Sequence, residues 1–351
     1  MKIIVDCMGG DHAPCEMLKG VAQAKSEMGG EYLLVGHEEQ LKVCAAECGI
    51  SLEGYEILHA DQVVTMDDDA MSPMREKKDS SMSMALRALA EGKGDAVVSC
   101  GNTGALFSGA TLIVRRAKGV HRAAIASLLP FQPPLLLLDA GANVTIRPDF
   151  LPQFAVMGSA YMKALYGLEK PRVGLLNNGT EAHKGTPLQT EAYALLSACP
   201  AIDFVGNVES NKLPFDVCDV AVTDGFTGNI TLKAFEGMGK VFMKRMKGIF
   251  TSSLLTKLGA LTIRKHIGQL KHDFDVSEHG GSPILGLRKP VIKAHGSSDA
   301  KAFKNAIRQA ASLAKSGALT QMQEDIAAMA VSVSAAPAEQ PSKDTPNTPD
   351  T

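Results

Sequence analysis

The sequence contains no tryptophan and only five tyrosines, and aromatic residues make up 5% of its 351 positions. Platforms for stacking nucleic-acid bases therefore have little to be built from. Charge is equally unspecialised. Lys and Arg number 36 against 38 Asp and Glu, and the formal net charge of -2 gives no reason to expect a nucleic-acid partner. The seven cysteines are odd in number and scattered, with no Cys-x-x-Cys among them, although Cys44 and Cys48 stand one helical turn apart. That pattern reads as a reduced cytoplasmic protein with buried thiols. No apolar run approaches the roughly 18 residues of a membrane span, and the apolar part of MKIIVDCMGG is too short for a signal peptide.

Familiar active-site signatures are missing as well. Both Gly-x-Gly pairs, at Gly92 and at Gly237, lack the third glycine of a dinucleotide fingerprint. Neither a phosphate-binding Gly-x-x-x-x-Gly-Lys-Ser/Thr loop nor a Gly-x-Ser-x-Gly elbow occurs. His266, His272 and His279 are spaced unlike metal ligands on a helix face. Nicotinamide, covalent serine and metal chemistry all lose ground, and no cofactor is expected.

What the chain does have is a repeated junction. Seven times an apolar run breaks into Gly with Asn, Asp, Ser or Thr: Val5 to Pro14, Val97 to Leu106, Leu137 to Val144, Gly174 to Gly185, Val220 to Ile230, His279 to Leu287 and Ile292 to Ala300. Loops at the carboxyl ends of parallel strands converge on a crevice, and Gly lets backbone N–H groups come close to a ligand. One site rich in backbone donors is expected, suited to a phosphate or a developing oxyanion.

Strands are expected at Ile3–Val5, Tyr32–Val35, Tyr55–His59, Ala96–Ser99, Leu135–Asp139, Val173–Leu176, Phe204–Val205 and Val217–Thr223, with helices from about Pro14 to Glu27 and from Glu38 to Glu47. Their continuous apolar character argues for a largely parallel sheet covered on both faces, a three-layer α/β/α domain over residues 1–331. The Pro-rich segment 332–351 reads as a disordered tail. Between Gly237 and His272 lie eight Lys or Arg and no Asp or Glu, interleaved with Phe250, Leu254, Leu255, Leu258 and other apolar residues. This basic amphipathic segment, 237–272, suits helices packed on the body or a second subunit, contact with anionic lipid, or an acidic protein partner.

The polar residues of the junctions are the candidate site. They are Gly10, Asp11 and His12; Gly101, Asn102 and Thr103; Asn143; Gly179, Thr180, Glu181 and Lys184; Asp224, Gly228 and Asn229; and His295 with Ser297. Taken singly, each has an ordinary structural role as a helix cap, turn residue or loop hydrogen bonder. Taken together, a parallel sheet would bring them to one edge. Lys184, in a Gly-flanked loop, is the cation placed nearest a reacting phosphate, while Arg75, Lys77 and Lys78 precede a helix start as a second anion site, with Asp67, Asp68 and Asp69 near enough in sequence to balance their charge.

VDCMGGDHAP, REKKDSSM, SCGNTGAL, LDAGANV, NNGTEAHKG, VTDGFTGNITLKAFEG, GGSPILGL and AHGSSDAKAFKNAI follow one another in an order that closely resembles the PlsX-type phosphate acyltransferases of bacterial phospholipid synthesis, from about Ile3 to about Ala318. The resemblance implies a homodimer with a fold similar to isocitrate and isopropylmalate dehydrogenases and phosphotransacetylase. It implies transfer of a long-chain acyl group from acyl carrier protein to inorganic phosphate, for use by a membrane-bound glycerol-phosphate acyltransferase at the inner face of the cell membrane. On that reading Lys184 holds phosphate with amides near Gly179 and Gly228. Asn102, Asn229 or a neighbouring amide receives the oxyanion, and His12 or Asp224 orients or accepts a proton. Carrier protein or lipid would meet Lys244, Arg245, Lys247, Lys257, Arg264 and Lys265 beside Phe250, Leu254, Leu255 and Leu258. The rival readings are an acyl-coenzyme A phosphotransacylase, a dehydrogenase on the same fold and a non-catalytic membrane-recruited scaffold.

Overall fold

The computed structural model describes residues 1–263, 265, 266 and 280–335. Strands β1 (Lys2–Asp6), β2 (Glu31–Gly36), β3 (Glu56–His59), β4 (Ala96–Ser99), β5 (Ala124–Leu129), β6 (Leu135–Leu138), β7 (Arg172–Asn177), β8 (Asp203–Glu209), β9 (Val220–Val222), β10 (Ser282–Leu285) and β11 (Val291–Lys293) form one sheet. Its order is β3-β2-β1-β4-β11-β10-β5-β6-β9-β7-β8. The helices are α1 (Cys15–Met28), α2 (Glu38–Glu47), α3 (Ser81–Ala90), α4 (Thr103–Gly109), α5 (Phe150–Tyr166), α6 (Pro187–Ser197), α7 (Gly225–Thr251), α8 (Leu254–Thr262), α9 (Ala300–Lys315) and α10 (Ala318–Ala335).

Side chains alternate across a strand, and here both faces are covered, so the strands read as unbroken apolar runs. In β1, Ile3 and Val5 join a core layer with α1, α5 and α9, whereas Ile4 joins the opposite layer with α3 and α4. All three are 2% exposed or less. The three-layer architecture is as expected from the sequence.

The pairing of the strands holds the main departure. β11 with β10, β10 with β5, and β5 with β6 are antiparallel; the other neighbours are parallel. Three antiparallel steps in succession reverse the polarity, so the wing β3-β2-β1-β4-β11 runs opposite to the wing β6-β9-β7-β8. Strands β5, β10 and β11 went unread in the sequence. Periodicity reports burial but not direction, and β10 lies inside a junction read as a loop.

Two further expectations change. The sequence places the start of the Pro-rich tail at Ser332, but α10 continues to Ala335; residues 336–351 lie outside the described part. Free thiols were expected throughout, yet Cys15 and Cys48 are joined in a disulfide, because α1 and α2 bring positions 33 apart in sequence side by side. Cys7, Cys44, Cys100 and Cys218 are free and buried, and Cys199 is free and partly buried.

The basic segment is helical where it is described. Helix α7 buries Gly225, Gly228, Thr231 and Leu232 in its first turns, and no residue from Lys233 to Thr251 is buried. At 1.5 Å per residue that stretch is about 28 Å long. Lys244, Arg245, Lys247, Lys257 and Lys265 are exposed, Phe250 is half-buried, and Leu255 is 82% exposed. Arg264 and the side chains of Leu254 and Leu258 lie outside the described residues. Among the described residues no helix is long and apolar enough to cross a membrane.

Candidate functional site

The reversed polarity divides the junctions between two edges of the sheet. The loops after β1, β4 and β11 share one edge, and those after β6, β7 and β9 share the other. The expectation of a single edge fails for this reason: His12, Asn102 and His295 stand opposite Lys184, Asp224 and Asn229 within one chain.

At the first edge the strand ends are polar and buried. Ser99 Oγ donates to Asp6 at 2.6 Å and accepts from Gly101 N–H at 3.0 Å. The Gly-rich turn must then lie close: a Cβ on Gly9 would stand 2.6 Å from Gly101 N, and one on Gly10, whose φ is +103°, would meet Cys100 Cβ at 2.8 Å and Gly296 O at 2.9 Å. Asp11 N–H donates to Gly296 O at 2.8 Å, which ties the first loop to the last. Lys293, 8% exposed at the end of β11, donates to Cys100 O at 3.2 Å and to Ala294 O. Burial pushes its ammonium below the ordinary lysine value, against the pull of Cys100, Asp6 and Asp11, and burial pushes the Asp6 carboxyl up.

The exposed part of this edge faces α7. His295 Nδ1 lies 2.8 Å from Ser297 Oγ and accepts from Ser297 N–H at 3.2 Å, which leaves Nε2 as the protonated nitrogen of the neutral ring. Burial lowers the pKa of His295, and Lys233, Lys293 and Lys240 lower it further while Glu236 opposes them. Lys233 is ion-paired with Glu236 at 2.8 Å, and a neutral Nε2–H donor near that pair and Lys240 suits a phosphate oxygen or an oxyanion. Asp11 and His12 are exposed beside it, as is Thr103.

Asn102 has a different task from the one expected. Its Oδ1 caps α4 by accepting from Ala105 N–H at 3.1 Å, and its Nδ2 donates to Met66 O at 3.0 Å and Asp68 O at 3.1 Å. Both ends of the amide hold loops, so it organises the edge instead of offering a free donor. Arg75 and Lys78 are exposed further along the loop that Asn102 anchors, whereas Lys77 is bound to Val63 O and Asp68.

The second edge is built around Asp139. Its Oδ1 accepts from the N–H groups of Ile125, Gly141 and Ala142, and its Oδ2 from Asn143 N–H and Nδ2, both at 2.7 Å. Asn143 is thereby a structural residue, also donating to Ala123 O at 2.8 Å. Asp224 caps α7, with its carboxylate oxygens 2.8 Å from Thr227 N and Thr227 Oγ1. A Cβ on Gly228 would stand 1.9 Å from Asp139 O. Asn229 is exposed and donates to Ala140 O at 3.2 Å.

Beside it, Asn177 Nδ2 donates to Lys184 O at 3.0 Å, and Asn207 Nδ2 donates to Glu181 O at 2.8 Å, which folds the loop carrying Gly179, Thr180, Glu181 and Lys184. The Lys184 side chain is exposed, and no ion pair among the described residues holds it. Helix α7 joins the two edges. It starts beside Asp139, and Phe235 packs edge-on against Phe131, beyond the end of β5, at 5.1 Å.

Asp6, Ser99, Lys293, Lys233, Glu236 and Lys240 were not singled out from the sequence. The first three terminate apolar strands immediately before the Gly-rich turns, a position that could have marked them. The other three sit in mid-helix, where no local pattern separates them from solvated charges.

Residues 1–321 match the family described as Fatty acid synthesis protein. The chain is 43% identical over 333 residues to the phosphate acyltransferase of Acetivibrio thermocellus, covering 94% of this chain and 98% of that one. It is 41% identical over 329 residues to the phosphate acyltransferase of Bacillus subtilis, covering 93% and 98%. Among solved structures, EutD phosphotransacetylase from Staphylococcus aureus superposes with a TM-score of 0.59 at 16% identity, covering 90% of this chain and 94% of that one. A phosphotransacetylase from Streptococcus pyogenes gives 0.58 at 19%, with the same coverage. These two structures establish the fold, and the sequence matches establish that the chain belongs to the phosphate acyltransferase family, enzymes that transfer an acyl group to phosphate.

Proposed function

We propose that the acyl donor is a long-chain fatty acyl thioester of acyl carrier protein, that inorganic phosphate is the acceptor, and that the acyl phosphate passes to a membrane-bound glycerol-phosphate acyltransferase on the way to phosphatidic acid. Membership of the phosphate acyltransferase family carries this reading. A phosphate oxygen attacks the thioester carbonyl carbon, a tetrahedral oxyanion forms, and the C–S bond breaks to release the carrier thiol. Phosphate brings its own nucleophilic oxygen, so the protein's work is to align it with the carbonyl and meet the oxyanion with fixed donors.

The first edge is our choice for that work. His295 Nε2–H, Lys233 and Lys240 attract the phosphate beside the exposed Asp11, His12, Thr103 and Ser297, and the closely packed turns at Gly10 and Gly101 hold these residues in place. Lys184, Asp224, Gly179, Gly228 and Asn229 belong to the opposite edge, so on this reading they serve the crevice from the second chain of a homodimer. The acidic carrier protein and anionic lipid are drawn to Lys244, Arg245 and Lys247 on the projecting part of α7, with Lys257 on α8 and Lys265 beyond it. Such contact would hold the enzyme at the inner face of the cell membrane.

The purified protein is to be incubated with palmitoyl-acyl carrier protein and phosphate while free carrier thiol and acyl phosphate are followed by mass spectrometry. Phosphate-dependent appearance of both is the expected result. Turnover with palmitoyl-coenzyme A alone would replace the donor, and turnover with neither would leave the scaffold reading.

A further inference from the structure

Outside the two edges, one cluster of reactive side chains remains unused. Cys15 is the first residue of α1, and Cys44 and Cys48 lie one turn apart at the end of α2. The three Sγ atoms all lie within 4.8 Å of one another, and among the described residues no His, Asp or Glu joins them. Cys44 is 9% exposed and the other two are half-buried.

We infer that Cys15, Cys44 and Cys48, once reduced, bind one thiophilic cation of the Zn2+ type between α1 and α2. The Cα atoms of Cys15 and Cys48 are 7.1 Å apart. Disulfides favour roughly 4.4–6.8 Å, whereas two thiolates bound to one ion tolerate a wider spacing. A tetrahedral zinc with Zn–S bonds of about 2.3 Å sets its thiolates about 3.8 Å apart, inside the 4.8 Å limit within which these three sulfurs lie. Three thiolates leave the fourth position to water.

Reduction by a water-soluble phosphine opens the Cys15–Cys48 bond. The phosphine gives two electrons and becomes the phosphine oxide with an oxygen from water, and each sulfur takes a proton. Zn2+ then displaces three thiol protons and forms a complex of charge -1. Occupancy would pin the first turn of α1, three residues beyond His12, to the end of α2.

The test uses the full chain, reduced with phosphine, made metal-free and titrated with Zn2+ under anaerobic conditions against a chromophoric chelator. One equivalent per chain is expected, weakened by at least about tenfold in Cys44→Ser and in the less buried Cys15→Ser, and unchanged in Cys199→Ser. Co2+ in place of Zn2+ should show thiolate charge-transfer absorption that both site variants lose. Uptake no greater than that of the triple serine variant would overturn the proposal. So would a thiol count that stays at the five free cysteines instead of reaching all seven, taken in denaturant after the folded protein has been treated with phosphine and the phosphine removed.

Discussion

The Ser99 hydroxyl bridges Asp6 to the loop that follows it, donating to the carboxylate at 2.6 Å while accepting from Gly101 N–H. Ser99→Ala therefore strands two buried partners at once. A loss of about 1–3 kcal/mol is expected, read as a lower urea midpoint at unchanged m-value, together with reduced kcat as the Gly101 turn loosens. A midpoint equal to wild type would show that water replaces the hydroxyl.

His295 gives a pH dependence of defined sign. Burial and the neighbouring Lys233, Lys293 and Lys240 hold its folded-state pKa below the ordinary 6.5, so the unfolded chain takes up this proton first as pH falls. Stability is unaffected by the group above that value and declines as pH drops from 6.5 toward the folded-state pKa. His295→Gln should flatten this part of the urea-midpoint profile. If the variant and wild type decline in parallel, the ring is not shielded from protonation.

Lys184→Ala should raise the phosphate KM or abolish turnover without unfolding the protein, because Lys184 makes no ion pair among the described residues. Wild-type phosphate kinetics would remove it from the mechanism. If the proposed homodimer shares its sites, mixing and reassociating Lys184→Ala with His295→Gln chains should restore roughly a quarter of wild-type activity, since half the dimers would then carry one complete site. Absence of any recovery would argue that each edge acts alone.

Gly228 has no room for a side chain, as its Cβ would fall 1.9 Å from Asp139 O. Gly228→Ala should cost roughly 1–3 kcal/mol or more and disturb Asn229 through the shared turn. Thermal unfolding with a midpoint like that of wild type would contradict the contact.

Reversing Lys244, Arg245 and Lys247 to Glu should weaken binding to anionic vesicles by roughly tenfold or more and raise the KM for acyl carrier protein. Lys244, Arg245 and Lys247 are exposed, so folding should be unchanged by circular dichroism. Retention of both affinities would leave the basic segment with a purely structural role.

Much of the fold was legible because local rules and tertiary structure agree. The Ile3–Val5, Ala96–Ser99 and Val173–Leu176 runs are strands, and Asn102, Asp224 and Asp299 cap the helices that follow the Gly-rich turns. Strand direction has no such local mark. Buried on both faces, β5 and β10 look the same whichever way they run, and their antiparallel insertion sent Lys184 and His12 to opposite edges. The cations around His295 were hidden for a related reason: Lys233 and Lys240 meet it only through the path of α7 across the sheet.

The wing that carries the first edge is assembled from both ends of the chain. β11 pairs with β4 across almost two hundred residues, whereas β6, β7, β8 and β9 lie within a single stretch from Leu135 to Val222. During synthesis the strands of the second wing can therefore pair while the ribosome is still extending the chain, but β4, already beside β1, waits for its second neighbour until the residues after Lys293 have emerged. The crevice around His295 cannot form before residues 291–299 have emerged, so a nascent or truncated chain can be partly structured and still be inert toward phosphate.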